Sequence, residues 1–334
     1  MPRSGWLFST LTVIGIAGAS VLIGANAARG TAVAAQSLAG AGLLGSPMSG
    51  VVLASVDPRT VFGQSNVLPP PMPQPMRNAA ETKTPTLTAK SALVIDGATG
   101  MVLFEKEADA PRSIASITKL LTAIIVADLA PDWAATSTMR TPKGIDGPHV
   151  LDHGDVVRLQ DLLFASLIGS SNSATLSMVD AVMPRGASFV ARMRLAAERY
   201  GLMSVRAADP AGLSPDNRAT ARDVVRLLQM ALERPVLREA VGAAEYEVRT
   251  AKGEVRKVAS TNWVLLGKIP LTVPKMIGSK TGYLPEAGYN FVTAVEDAAG
   301  HRLYVAVLGA ADHYARFTEA QALAAWAFGQ FSWQ

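Results

Sequence analysis

Residues 113–123 read SIASITKLLTA, and the fold of the whole chain turns on what this stretch is. Ile117, Leu120, Leu121, Ile124 and Ile125 recur at helical spacing, with Ala and Leu between them. The pattern predicts a buried helix over 113–130. Two polar residues interrupt it. Ser116 and Lys119 stand at i and i+3, on one helix face. A lysine in apolar surroundings has its charged form disfavoured by desolvation. A neutral amine can take the proton of an adjacent hydroxyl, which turns serine into a nucleophile. Ser-x-x-Lys is a short pattern, however, and a surface lysine beside an incidental serine satisfies it equally. The rest of the chain has to decide.

Before the helix, SALVIDGATGMVLFEKEA (91–108) holds two apolar runs around Asp96-Gly97-Ala98-Thr99-Gly100, a β-hairpin signal. After it, Asp155 to about Arg238 has helical periodicity. Thr220 with Asp223 resembles a capping box, and Gly201 lies where a C-cap would. From residue 244 strand patterns return in EYEVRT, EVRKVAST, KMIGSKT, YNFVTAVED and HRLYVAVLGA, and FTEAQALAAWAFGQF closes the chain as an apolar helix. Strands at both ends enclosing helices predict an α/β (α+β) fold: one antiparallel sheet built from both termini, flanked by helices, with an all-α insertion.

The chain has 334 residues, 49% hydrophobic and 17% charged, long enough for one sizeable core or two small ones. Zero cysteines exclude disulfides, thiolate metal sites and cysteine nucleophiles. A net charge of +4 without a Lys/Arg block gives no support to a nucleic-acid role. Arg3 precedes WLFSTLTVIGIAGASVLIGANAA, with small residues at candidate cleavage sites ending at Ala27 or Ala34. Residues 1–35 therefore read as a signal peptide or an uncleaved N-terminal anchor in contact with the membrane. Both predict export, to the periplasm or the outer face of the cytoplasmic membrane. Residues 36–90 include VLPPPMPQPMRNAAETKTPTLTAK and predict a Pro-rich disordered linker. The folded domain is then expected over 91–334.

Two further stretches carry chemistry. SLIGSSNSA supplies Ser170-Ser171-Asn172, and MIGSKTGY supplies Lys280-Thr281-Gly282. Ser-x-x-Lys, Ser-x-Asn and Lys-Thr-Gly in that order are the signature of the penicillin-recognising serine enzymes. From Ala92 onward the chain resembles the serine D-alanyl-D-alanine carboxypeptidases and endopeptidases, the low-molecular-mass penicillin-binding proteins. DPAGLSPDNRATARDVVRLL, STNWVLLG and KTGYLPEAGYNFV are similar to further segments of that family. Ser171 and Ser173 depart from its common Gly and Asp, and Ala219 from its common Ser. The resemblance implies a transpeptidase-like fold with Ser116 as nucleophile and Lys119 as its general base. It implies that Ser170 passes a proton to the departing amine and that Asn172 holds the substrate amide and Lys119. Lys280 would supply positive potential and Thr281 would bond the terminal carboxylate. Gly282 would allow substrate close to a strand edge, and the N–H groups of Ser116 and Tyr283 would hold the oxyanion. Arg316, in HYARFTEAQ, is a further candidate for the carboxylate, or else a surface arginine at a helix start. The implied partners are peptidoglycan stem peptides ending in D-Ala-D-Ala and β-lactams as covalent inhibitors; no cofactor is called for.

Other readings compete. A class A β-lactamase needs a glutamate to activate water, and none lies between Glu198 and Glu233; Asp209 and Asp216 read as turn residues beside Pro210 and Pro215. His149 and His153 in HVLDH have zinc-like spacing, but Gly147, Pro148 and Gly154 argue against a helix there. A catalytically decayed wall-binding scaffold would not need every acting residue. Within the enzyme reading, cleavage of the terminal D-alanine and of D-alanyl cross-links both stay open. The short run after Gly282 points away from the extra C-terminal domain of many carboxypeptidases.

Overall fold

A computed structural model describes residues 74–80, 82–142, 145, 150–183 and 188–333. The apolar N-terminal segment, most of the Pro-rich stretch and His149 lie outside the described residues. No helix among the described residues is long and apolar enough to cross a membrane.

Five antiparallel strands make the central sheet: β1 (Ser91–Asp96), β2 (Val102–Lys106), β3 (Lys275–Leu284), β4 (Gly288–Glu296) and β5 (Arg302–Ala310). Their order is β3-β4-β5-β1-β2. The β1–β2 turn is closed by Asp96, whose Oδ2 accepts from Thr99 N at 2.7 Å and Thr99 Oγ1 at 2.6 Å. Gly100 then takes φ +73°, which favours glycine. β5 pairs with β1 from Leu303↔Asp96 to Leu308↔Ser91, so the sheet does join both ends of the domain.

Strand alternation splits the core into two layers. Ala92, Val94, Leu303, Val305 and Val307 pack with Phe317, Ala320 and Leu323 of the C-terminal helix. Leu93, Ala306 and Leu308 face the helical block on the other side. The helices are α1 (Thr118–Asp128), α2 (Leu159–Leu167), α3 (Asn172–Val182), α4 (Phe189–Arg199), α5 (Ala221–Glu233), α6 (Pro235–Gly242) and α7 (Ala315–Gln330). α1 is buried from Thr118 through Val126, the burial expected of a helix that is apolar all round. Gly201 follows α4 at φ +71°. Only half of the expected capping box forms: Thr220 Oγ1 accepts from Asp223 N at 3.2 Å, but the Asp223 carboxylate turns to Ser204 N and Oγ instead.

Three expectations change. The helix predicted from residue 113 begins later, because Arg112–Ser113 is a short strand paired with Arg218–Ala219 and Ala115–Ile117 is a 3₁₀ turn. EYEVRT and EVRKVAST form their own ribbon (Glu245–Arg249 with Val255–Ala259), outside the central sheet. Tyr246 of that ribbon donates to the fully buried Asp161 of α2 at 2.7 Å, which fastens it to the helical block.

The third change concerns the boundary expected at Ser91. Pro75–Arg77 pairs with Phe331–Trp333, a strand beyond α7 that periodicity does not reveal. Gln330 is fully buried; its Oε1 accepts from Thr82 N and Oγ1, and its Nε2 donates to Asn78 O and Ala80 O. Glu319 accepts from Thr88 Oγ1, Thr88 N and Ala89 N. Two buried polar side chains of α7 thus take their partners from residues 78–89, and removing those partners leaves them unsatisfied at about 1–3 kcal/mol each. A chain starting at Ser91 should melt on the order of 5 °C or more below one starting at Gln74. Equal melting temperatures by calorimetry would show that the segment adds nothing.

Candidate active site

The site is built on the turn that leads into α1. Ala115 is held at φ +47°, uncommon for a residue with a Cβ, and Ser116 follows in the 3₁₀ turn. Long-range contacts hold this conformation. Ile114 N donates to Asn217 O at 3.0 Å, and the fully buried Asn290 donates from Nδ2 to Ser113 O at 3.1 Å. Two glycines press on the turn. A Cβ on Gly212 (φ +77°) would lie 2.1 Å from Ala115 O, and one on Gly282 would lie 2.5 Å from Ile114 O. Gly282 was expected to clear space for substrate; the space it clears belongs to the nucleophile's own turn.

Lys119 is fully buried in the first turn of α1. Its Nζ lies 2.9 Å from Ser116 Oγ, 2.7 Å from Asn172 Oδ1 and 2.5 Å from Ala211 O. The last two partners only accept. A neutral amine satisfies both with its two N–H groups and turns its lone pair to the Ser116 hydroxyl. Burial lowers the Lys119 pKa to about 7, against the opposing pull of the Asp209 carboxylate. Asp209 reads from sequence as a turn residue, and it is one: it accepts from Ala211 N at 2.8 Å, Ser214 N at 2.8 Å and Asn217 Nδ2 at 2.6 Å. By shaping that loop it sets Ala211 O against Lys119. Thr122 Oγ1 ties the same loop to α1 through Pro210 O at 2.7 Å.

The second arm faces the first. Ser170 has φ +57°, and Ser171, the departure from the common Gly, caps α3 by accepting from Ala174 N. Asn172 opens α3, one residue into the helix. Lys280, buried on β3, donates to Ser170 Oγ at 2.9 Å and Thr281 O at 3.0 Å. Burial, then the charges of Lys119 and Arg316, push its pKa well below the ordinary lysine value. Thr281 Oγ1 lies 2.6 Å from Thr261 Oγ1. Ser116, Ser170, Thr261, Thr281, Gly282 and Tyr283 line one cleft of about 490 Å³ together with Trp263, Tyr289, His313 and Arg316. None of its lining residues is Asp or Glu. Arg316 is the one arginine or lysine in that lining, and with no carboxylate beside it the cleft suits an anionic group.

Arg316 is not a surface residue. It is 4% exposed at the start of α7, where a cation opposes the helix dipole. It lies over the rings of Phe317 and Tyr289 at 4.6 and 5.5 Å. Tyr283 stacks on Tyr289 at 4.3 Å and is 48% exposed, so its side chain rims the cleft. The sequence reading did not single out Asn290, Thr261 or Ala211 O. All three act across long chain separations or through backbone, and the only signal for them is the segments GYNFV, STNW and DPAGL.

Since the neutral form of Lys119 carries the lone pair, acylation of Ser116 should rise with pH through about 7 and level off above it. A pre-steady-state acylation rate flat from pH 5.5 to 8.5 would contradict this.

Residues 78–312 match the family described as D-alanyl-D-alanine carboxypeptidase. A D-alanyl-D-alanine endopeptidase of Pseudomonas aeruginosa is 32% identical over 254 residues, covering 72% of this chain and 77% of that protein. The Escherichia coli D-alanyl-D-alanine carboxypeptidase DacC is 32% identical over 272 residues, covering 77% of this chain and 66% of that protein. The crystal structure of penicillin-binding protein D2 from Listeria monocytogenes, in its cefotaxime-bound form, superposes with a TM-score of 0.64 at 27% identity, covering 74% of this chain and all of that one. The antiparallel sheet and the helical block are thus shared with a penicillin-binding protein, and the chain belongs to the D-alanyl-D-alanine carboxypeptidase family.

Proposed function

We propose that Ser116 attacks the carbonyl of the penultimate D-alanine of a peptidoglycan stem peptide and forms an acyl-enzyme. The observation that carries this is the buried Lys119, 2.9 Å from Ser116 Oγ, with its pKa lowered by burial to about 7 so that the neutral amine is available. Lys119 takes the Ser116 proton as the C–O bond forms. The backbone N–H groups of Ser116 and Tyr283 receive the oxyanion. Ser170 gives its proton to the leaving amine and is reprotonated by Lys280, whose Nζ donates to Ser170 Oγ at 2.9 Å. Asn172 steadies Lys119 and the substrate amide, while Thr281 and Arg316 take the terminal carboxylate. Water then attacks the ester. Its proton returns to Lys280 by way of Ser170, and Ser116 leaves with the proton Lys119 has held. β-lactams enter by the same first step. The apolar segment after Arg3 supports export to where this substrate lies, with residues 1–35 as signal or anchor.

The activity is read as release of terminal D-alanine. Cleavage of D-alanyl cross-links is the second reading, favoured by the fuller span of the Pseudomonas relative named an endopeptidase, 77% against 66% for DacC. Incubation with monomeric and cross-linked muropeptides, followed by mass analysis of products, tests both. Loss of one alanine from monomers supports the first, and conversion of dimers to monomers supports the second. Intact substrates in both cases would contradict the proposal.

A further inference from the structure

The guanidinium of Arg316 has few partners for a buried cation. Nη1 donates to Gly282 O across a long 3.5 Å, and Nε is buried without a hydrogen-bond partner among the described residues. The short contact is Nη2 to His313 Nδ1 at 3.0 Å, with Nε2 of the same ring farther off at 3.5 Å. Arginine nitrogens only donate, so Nδ1 must carry the lone pair and the ring proton belongs on Nε2. The imidazole is held in place by its neighbours. It lies 4.1 Å from the Trp263 ring and meets Phe317 and Tyr289 edge-on at 5.5 and 5.9 Å. His313 itself lines the cleft beside Arg316.

We infer that His313 is a positioning residue that aims Arg316 at the substrate's terminal carboxylate, and that it does so only as the neutral imidazole. This rests on the proposed role of Arg316. If Nδ1 gains a proton, two N–H groups face each other across 3.0 Å and two cations share one partly buried space. The guanidinium then has to give up this contact, leaving the long bond to Gly282 O as its remaining hydrogen bond. The charged groups facing His313 are Arg316 and Lys268, which oppose its protonation, and Asp312, which favours it. The other neighbours are the rings of Trp263, Tyr289, Tyr314 and Phe317. Burial and Arg316 hold the imidazole pKa below its ordinary value, so the aiming contact is intact at pH 7 and is lost as the pH falls.

The test is steady-state cleavage of a D-Ala-D-Ala peptide by the whole enzyme, with KM and kcat resolved from pH 5 to 8. His313→Ala should raise KM about tenfold at pH 7.5 and change kcat by less than about twofold, the size of losing one hydrogen bond to a charged group. His313→Asn, whose amide oxygen can replace Nδ1 as acceptor, should recover most of that loss. It should also abolish the rise in KM expected of the parent as the pH falls. Equal KM defects in the Ala and Asn variants, or a parent KM flat down to pH 5, would overturn the inference. Arg316→Ala separates the two layers of the argument. If it raises KM while His313→Ala does not, only the role of His313 fails; if it leaves KM at the parent value, the assignment of Arg316 to the carboxylate fails with it.

Discussion

Replacing Lys119 with arginine should slow acylation of Ser116 by about 10²-fold or more, nearly as far as Lys119→Ala. The substitution keeps a long cationic side chain but removes the neutral form, and so isolates what matters. Lys119 is fully buried, and its Nζ sits among Ser116 Oγ, Asn172 Oδ1 and Ala211 O. That pocket fits a compact amine whose pKa has fallen to about 7. A guanidinium cannot be deprotonated in a protein and has no lone pair to accept the serine proton. Rapid-mixing acylation of parent, Arg and Ala forms decides the matter. An arginine enzyme within a few-fold of the parent would show that electrostatic stabilisation, and not proton abstraction, is what Lys119 supplies. The same burial has a cost in stability. Between pH 7 and 10.5 the unfolded lysine binds a proton that the folded one does not, so stability rises with pH across that window. Lys119→Met should flatten that slope in denaturant titrations.

Much of this is legible in the sequence alone. The hairpin at 91–108, the helical block and the returning strands all follow from local apolar period and turn residues. The helix at 118–128 is buried from Thr118 through Val126, and the same apolar run in the sequence is what makes Lys119 conspicuous. What periodicity cannot see is pairing between distant segments. The strand at 75–77 is three residues long and meets a partner at the far end of the chain. Its Pro-rich context reads as linker because its hydrogen bonds go to Gln330, far off in sequence. The 245–259 ribbon has ordinary strand composition, and nothing local says that it leaves the sheet and turns to Asp161. In the site, side chains that carry chemistry stand out as motifs. The groups that hold them, such as Asn290 on Ser113 O and the Asp209 loop under Lys119, act by position alone. Arg316 could be read either way until its burial was known.

The other large effect concerns the fate of penicillin. Its strained amide and neighbouring carboxylate resemble a D-Ala-D-Ala terminus, so Ser116 Oγ should open the ring while Thr281 and Arg316 take the carboxylate. In peptide cleavage the amine departs and frees the path for water. In the opened drug the nitrogen stays tethered and blocks it. No glutamate occurs between Glu198 and Glu233 to drive a deacylating water, so the adduct should last minutes or longer. The most direct measurement of the whole account is intact-mass spectrometry of the enzyme with benzylpenicillin, followed by peptide mapping. The expected result is a gain of one whole drug on the peptide carrying Ser116, absent in Ser116→Ala. Rapid drug hydrolysis with no adduct would point instead to a β-lactamase, and no reaction at all would contradict a catalytic Ser116.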